Sequence, residues 1–155
     1  MVEVQIRGIL PANSGCALFV GNDKKVFVIN VEPNMGAVIG MFLRATPKER
    51  PLTHDLFKTV LDDLSVKVDR VVITQLQEGT FYAEVDLVRE GGALRISSRP
   101  SDAIALAVRY EEPVPIFVEE AVLDEAGVLF EAEEDEEQIE QFREFLEQVS
   151  PEDFA

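Results

Sequence analysis

Residues 66–110 read VKVDRVVITQLQEGTFYAEVDLVREGGALRISSRPSDAIALAVRY, and they carry the clearest structural signals of the chain. Two long runs rich in β-branched and apolar side chains, 66–76 and 80–88, stand on either side of Glu78-Gly79. A third run, 93–97, follows Arg89-Glu90-Gly91-Gly92. Such runs punctuated by glycine turns predict a meander of antiparallel strands. Pro100 suits the first turn of a helix, which is predicted to run to about Tyr110 on the apolar content of Ile104, Ala105, Leu106 and Val108.

The flanks extend the pattern. Val2, Val4, Ile6, Gly8 and Leu10 share one side of a period-two segment, a first strand. Runs at 17–20 and 26–29 flank Gly21-Asn22-Asp23-Lys24-Lys25, a hairpin whose turn residues are expected at positive φ. A helix over 35–43 follows Pro33, with Asn34 as its expected cap. It is apolar nearly all round and therefore buried, and its Gly36 and Gly40 permit close approach of another backbone, from this chain or from a second subunit. Thr53 is expected to cap the next helix, striped by Leu56, Phe57, Val60, Leu61 and Leu64. A short strand over 114–118 and a short helix over 119–126, ended by Gly127, complete the body. Helices and strands arrive without regular β-α-β alternation. The expected class is α+β, a mixed and mostly antiparallel sheet packed with helices.

Charge divides the chain. Of its 155 residues, 14 are basic and 30 acidic, for a net charge of −16. Residues 119–155 hold 15 acids and one base, whereas residues 1–118 hold 15 acids and 13 bases. The expected organisation is a domain over residues 1–130 and an acidic extension over 131–155, made an amphipathic helix by Ile139, Phe142, Phe145, Leu146 and Val149. With no strong basic footprint, charge argues against tight non-specific binding to nucleic acid and leaves transient substrate contact open. The single cysteine, Cys16, rules out a disulfide scaffold and a cysteine-built zinc site; it reads as buried packing in a reducing compartment. No apolar run approaches the ~18 residues that cross a bilayer. The N-terminus lacks the features of a signal peptide. A cytoplasmic protein with no membrane partner is expected.

Two segments could carry chemistry. His54, the sole histidine, sits beside Asp55 at a helix start near Arg50. An imidazole next to a carboxylate suits a general base or a metal ligand, and equally a plain helix beginning. Ser97-Ser98-Arg99-Pro100-Ser101-Asp102 places hydroxyls, a guanidinium and a carboxylate at a strand-to-helix junction. Free N–H groups there could hold an anion clamped by Arg99, or Ser101 and Asp102 could simply cap the helix while Arg99 pairs with an acid. Among the body's acids, Asp55, Glu84, Asp86 and Asp102 could ligate a metal only if the fold gathers them.

Arg50-Pro51-Leu52-Thr53-His54-Asp55-Leu56 and Ser98-Arg99-Pro100-Ser101-Asp102-Ala103-Ile104-Ala105-Leu106-Ala107 both resemble signatures of the bifunctional nuclease domain family. Val71-Val72-Ile73-Thr74, Gly79-Thr80-Phe81-Tyr82-Ala83 and Pro115-Ile116-Phe117-Val118 fit in order, so the resemblance spans about residues 1–128. It implies a self-associating α+β domain, a dimer in the favoured case, and a nuclease acting on DNA and RNA. His54, Asp55, Arg99, Ser101 and Asp102 are then the catalytic candidates, with Arg50 and Arg99 holding substrate and Asp55 and Asp102 holding Mg2+ or Mn2+. One departure stands out: Met35 occupies the place where relatives carry an acid. The competing expectation is a non-enzymatic oligomeric module that binds a small anionic ligand or a protein partner.

Overall fold

The computed structural model describes residues 1–129 apart from Asn13, Ser14, Glu49 and Pro113. The expected extension over 131–155 lies outside the described residues. The elements run β1 (Val2–Ala12), β2 (Gly15–Gly21), β3 (Lys25–Val31), α1 (Pro33–Leu43), α2 (Thr53–Asp63), β4 (Lys67–Gln77), β5 (Thr80–Arg89), β6 (Gly92–Ser98), α3 (Pro100–Arg109), β7 (Ile116–Val118), α4 (Glu120–Ala126) and β8 (Val128–Leu129). The strands form one sheet in the order β6-β5-β4-β7-β1-β2-β3-β8. Every pairing is antiparallel except β4 with β7, where Val71, Val72 and Ile73 lie beside Ile116, Phe117 and Val118. The class is therefore α+β, as expected.

Local chemistry explains the turns. Glu78 and Gly79 both take positive φ, 50° and 80°, the geometry of a two-residue hairpin that matches strand twist. The β2–β3 turn works differently from expectation. None of Gly21 to Lys25 has positive φ. Instead the Asn22 side-chain carbonyl accepts from the N–H groups of Lys24 and Lys25, both at 2.9 Å, as an Asx turn does. Gly21 is there for space: a Cβ would lie 2.2 Å from the Lys25 carbonyl oxygen.

The caps also differ from expectation. Glu32, not Asn34, stands at the cap of α1, with Pro33 at its first position. For α2 the cap position is Leu52, which has no side-chain acceptor, so Thr53 is the first helical residue. The Asp55 carboxylate reaches back to the Leu52 N–H at 2.8 Å and supplies half of a capping box. Gly127 ends α4 at φ −76°, ordinary backbone, and is required because a Cβ would meet the Leu123 carbonyl oxygen at 2.3 Å.

The centre of the molecule is α3. Pro100, Ser101 and the run from Ala103 to Ala107 are buried, and the helix packs on β4 and β5 with α1 and α2 beside it. Its alanines explain how it sits so deep, since small side chains let neighbouring elements approach. Phe27 of β3 meets Phe81 of β5 with ring centroids 5.6 Å apart, although these strands are not neighbours in the sheet. The sheet therefore curls round a common core. Gly36 of α1 is pressed against Cys16, where a Cβ would lie 2.4 Å from Sγ. The close approach foreseen at Gly36 is thus made within the chain. Cys16 is buried packing, and burial raises its thiol pKa, away from the reactive thiolate.

Candidate functional site

The first turn of α2 presents His54 and Asp55 in different directions, because adjacent helical positions are about 100° apart. Asp55 is buried and collects donors. Its Oδ1 accepts from Lys48 Nζ at 3.1 Å and from Arg109 Nε in a very close contact, and its Oδ2 accepts from the Leu52 N–H. Burial and, after it, the charge of Arg109 hold the Lys48 ammonium below the usual lysine value. Both cations lie near the Phe42 ring, Lys48 Nζ at 5.0 Å and the Arg109 guanidinium carbon at 5.8 Å from its centroid.

His54 turns toward α3. Its Nε2 lies 3.3 Å from Asp102 Oδ1, and Arg99 Nε donates to Asp102 Oδ2 at 2.8 Å. Arg99 also donates to Glu32 at the cap of α1, at 3.3 Å. Burial opposes ionisation of Asp102, but Arg99 and then His54 outweigh it and hold the carboxyl below the usual value. An ionised Asp102 can only accept, so Nε2 carries the hydrogen and the lone pair of a neutral imidazole falls on Nδ1. That Nδ1 is buried and has no hydrogen-bond partner. The Phe42 ring meets the imidazole edge-on at 6.4 Å.

The two helix starts singled out in sequence thus converge, with the protein's own Asp102 carboxylate between them. The capping alternative for α3 is corrected in detail. No side chain caps its N-terminus, and Asp102 spends its oxygens on Arg99 and His54 instead of on backbone N–H groups. Arg99 does pair with acids, as that alternative required.

Two concavities flank this network. A cleft of about 760 Å³ lies between the end of α1, the loop before α2, α2 and the end of α3, and it contains Arg50 and Asp55. Lys48, Lys58 and Arg109 join Arg50 in its wall, against the acids Asp55 and Glu111. A smaller recess of about 300 Å³ contains Glu32, Arg99 and Ser101. His54 lines neither of them. Arg99 and Arg50 therefore line different spaces.

Asp55 and Asp102 do not share a ligand set. Among the described residues no three acids, histidines or cysteines come close enough to hold a metal. Each carboxylate already faces cations, and this donor set does not fit a resident Mg2+ or Mn2+. Glu84 and Asp86 pair with Arg95 on the β5–β6 ladder, with Arg70 also on Asp86, so their carboxylates are engaged there and not with Asp55 or Asp102.

Arg109, Lys58 and Phe42 line the cleft with no signal in the sequence beyond their type. Arg109 is 54 residues from the Asp55 it contacts. Only an end-of-helix position, where a base suits the dipole, marks it in advance. Among the described residues no helix is long and apolar enough to cross a membrane.

Residues 18–131, which include both helix starts and the whole cleft wall, match the Bifunctional nuclease domain. Two uncharacterized proteins from two strains of Mycobacterium tuberculosis are each 39% identical over 166 aligned positions, covering 99% of this chain and 98% of theirs. The chain belongs to the bifunctional nuclease domain family.

Proposed function

We propose that this protein hydrolyses phosphodiester bonds in DNA or RNA, with the strand lying in the cleft between α1, α2 and α3. The supporting observation is the charge of that cleft. In a chain of net charge −16, its wall carries four bases against two acids, one of which, Asp55, is buried and paired. Phosphodiester hydrolysis needs charge relief on the phosphate, a base for the attacking water and a proton for the leaving oxygen. Arg50, exposed at the rim, and Lys48 and Arg109 beside Asp55 would meet the phosphate. His54, the one imidazole, would take the attacking water's proton on Nδ1 once the Phe42 side of the site opens to water, with Asp102 holding its tautomer, and a solvent water would protonate the leaving oxygen. Arg99 and Ser101 would support Asp102 or hold a second phosphate in the smaller recess. No step runs through a metal; Mg2+ or Mn2+ would enter only as a companion of the substrate's own phosphates. Work in the cytoplasm fits the single unpaired cysteine.

The test is cleavage of single-stranded DNA and RNA by the purified chain, with His54→Ala and Arg50→Ala alongside. Loss of cutting in the first and a several-fold drop in the second are expected. Wild-type rates in both would assign the activity to a contaminant. Titration with Mn2+ in the absence of nucleic acid checks the donor set, and a site with Kd of about 10 μM or below would overturn the metal-free reading. The alternative, a non-enzymatic module for a small anion, is favoured by the way Asp102 and Asp55 already occupy the cations. Binding of an oligonucleotide without any cutting would select it.

A further inference from the structure

Two aromatic rings share the wall of the basic cleft. Phe42, near the end of α1, and Tyr110, at the C-terminal cap of α3, both line it and are both half-buried. Each ring has cations of the same cleft beside it. Lys48 Nζ and the Arg109 guanidinium carbon lie 5.0 and 5.8 Å from the centroid of Phe42, and Lys58 Nζ lies 5.0 Å from that of Tyr110. A ring against a lysine is often no more than packing, but three observations point further. The Tyr110 hydroxyl is buried without a hydrogen-bond partner, and burial, followed by the charge of Asp62, raises its pKa. The phenol is therefore poised neither as an acid nor as a nucleophile, and what Tyr110 has to offer a ligand is its ring. Lys58 is tied to Asp62, one turn further along α2, in a half-open ion pair that a phosphate can replace at small cost. Phe42 also meets His54 edge-on at 6.4 Å, so a group held on Phe42 is held beside the imidazole.

We propose that the cleft selects single-stranded over double-stranded nucleic acid, and that Phe42 and Tyr110 are the platforms on which its unpaired bases stack. This rests on the reading of the cleft as the place where the strand lies, and adds to it the strandedness of the substrate and two residues that determine it. The spacing suits the role. Ring and cation stand 5.0 to 5.8 Å apart, within the span of one nucleotide, so a phosphate can meet the cation while its base lies on the ring. A groove that interleaves cations with aromatic faces suits single strands because every unpaired base has a π-face to offer. A duplex keeps those faces stacked inside and would have to turn a base out to reach either ring. The size of the cleft, about 760 Å³, takes a nucleotide or two and leaves a duplex at the rim. Stacking is also tolerant of base identity, which fits a site that accepts either DNA or RNA.

Equilibrium binding of a short fluorescent DNA strand to the full chain tests this, with the strand alone or annealed to its complement and in the cold, before any cutting. The single strand should bind at least about tenfold more tightly than the duplex. Phe42→Leu and Tyr110→Leu should each raise its Kd about fivefold or more, while Tyr110→Phe, which keeps the ring and drops the unpaired hydroxyl, should bind as the wild type does. Circular dichroism checks that the variants fold. The chain has two tyrosines and no tryptophan, so tyrosine emission reads stacking directly. A saturating strand should quench the emission of Tyr82→Phe, where Tyr110 alone emits, and leave that of Tyr110→Phe unchanged. Equal affinity for strand and duplex, leucine variants that bind the strand as the wild type does, or unquenched Tyr110 overturns the stacking role. If Arg50→Ala still weakens binding in that case, the cleft remains the nucleic-acid site. A chain that binds no oligonucleotide overturns both readings, whereas the expected binding pattern without cutting keeps this inference and removes the hydrolysis.

Discussion

Asp55 accepts from a lysine, an arginine and a backbone N–H while nearly out of contact with water, so it joins the loop before α2, α2 itself and the end of α3 through one carboxylate. Removing one partner of a buried charge cluster leaves the others unpaired. Asp55→Ala should therefore lower unfolding free energy by about 3 kcal/mol in urea titrations; a loss under 1 kcal/mol would show that water already serves the two cations. Asp102 makes a pH prediction. Its folded-state pKa lies below the ordinary value, so its stabilisation is complete above the unfolded-state pKa and is lost as pH falls through the lowered one. The stability gap between the wild type and Asp102→Asn should be full at neutral pH and shrink as solutions are acidified through and below the ordinary carboxylate range. A gap that widens on acidification would contradict the ion pair with Arg99 and the hydrogen bond with His54. That His54, Asp55, Arg99 and Asp102 form notable local clusters is legible from sequence, because each sits beside a reactive or charged neighbour. Their partners Glu32, Lys48 and Arg109 are not, since nothing local fixes contacts made between different helices.

At the scale of elements, three helix beginnings meet. The cap of α1 is Glu32, the second residue of α2 is His54, and the cap and third residue of α3 are Arg99 and Asp102. One row of polar contacts, Glu32–Arg99–Asp102–His54, ties them together. Acids in the first turn also complement the positive ends of the helices, which is reason enough for Asp55 and Asp102 before any chemistry is asked of them. The helix packing rests on small residues. Gly36→Ala places a methyl 2.4 Å from Cys16 Sγ, so α1 must shift off β2. A cost of about 1–3 kcal/mol is expected in thermal or urea unfolding. Cys16→Ala in the same chain should return part of it, a non-additivity that a double-mutant cycle reads directly. Additive losses would mean that the contact relaxes elsewhere.

For the molecule as a whole, the notable step is the sorting of charge. Arg50 and Lys48 come from one loop, Lys58 from α2 and Arg109 from α3, and the fold sets them round one cleft although no basic run exists in the chain. A strand bound there should be sensitive to salt. With about three phosphates contacted, log K for a single-stranded oligonucleotide should fall against log salt with a slope near −2. Arg50→Ala should flatten that slope by a little under one while leaving thermal stability unchanged. Binding indifferent to salt would place the oligonucleotide somewhere other than this cleft.

The strands, the central helix and the α+β class are set by local signals: side-chain periodicity, glycine turns and a proline at a helix start, all short-range effects written along the chain. The two motif helices are marked in the same way. What those helix starts confront was decided only in three dimensions. Asp102 engages the Arg99 guanidinium that was expected to clamp an anion, Asp55 is shared between two cations, and the positive cleft does not include Arg99. Each of these depends on the docking of α1, α2 and α3 on a curled sheet. That docking is governed by packing volume at residues such as Gly36, Cys16 and the alanines of α3, which carry no charge and announce no chemistry.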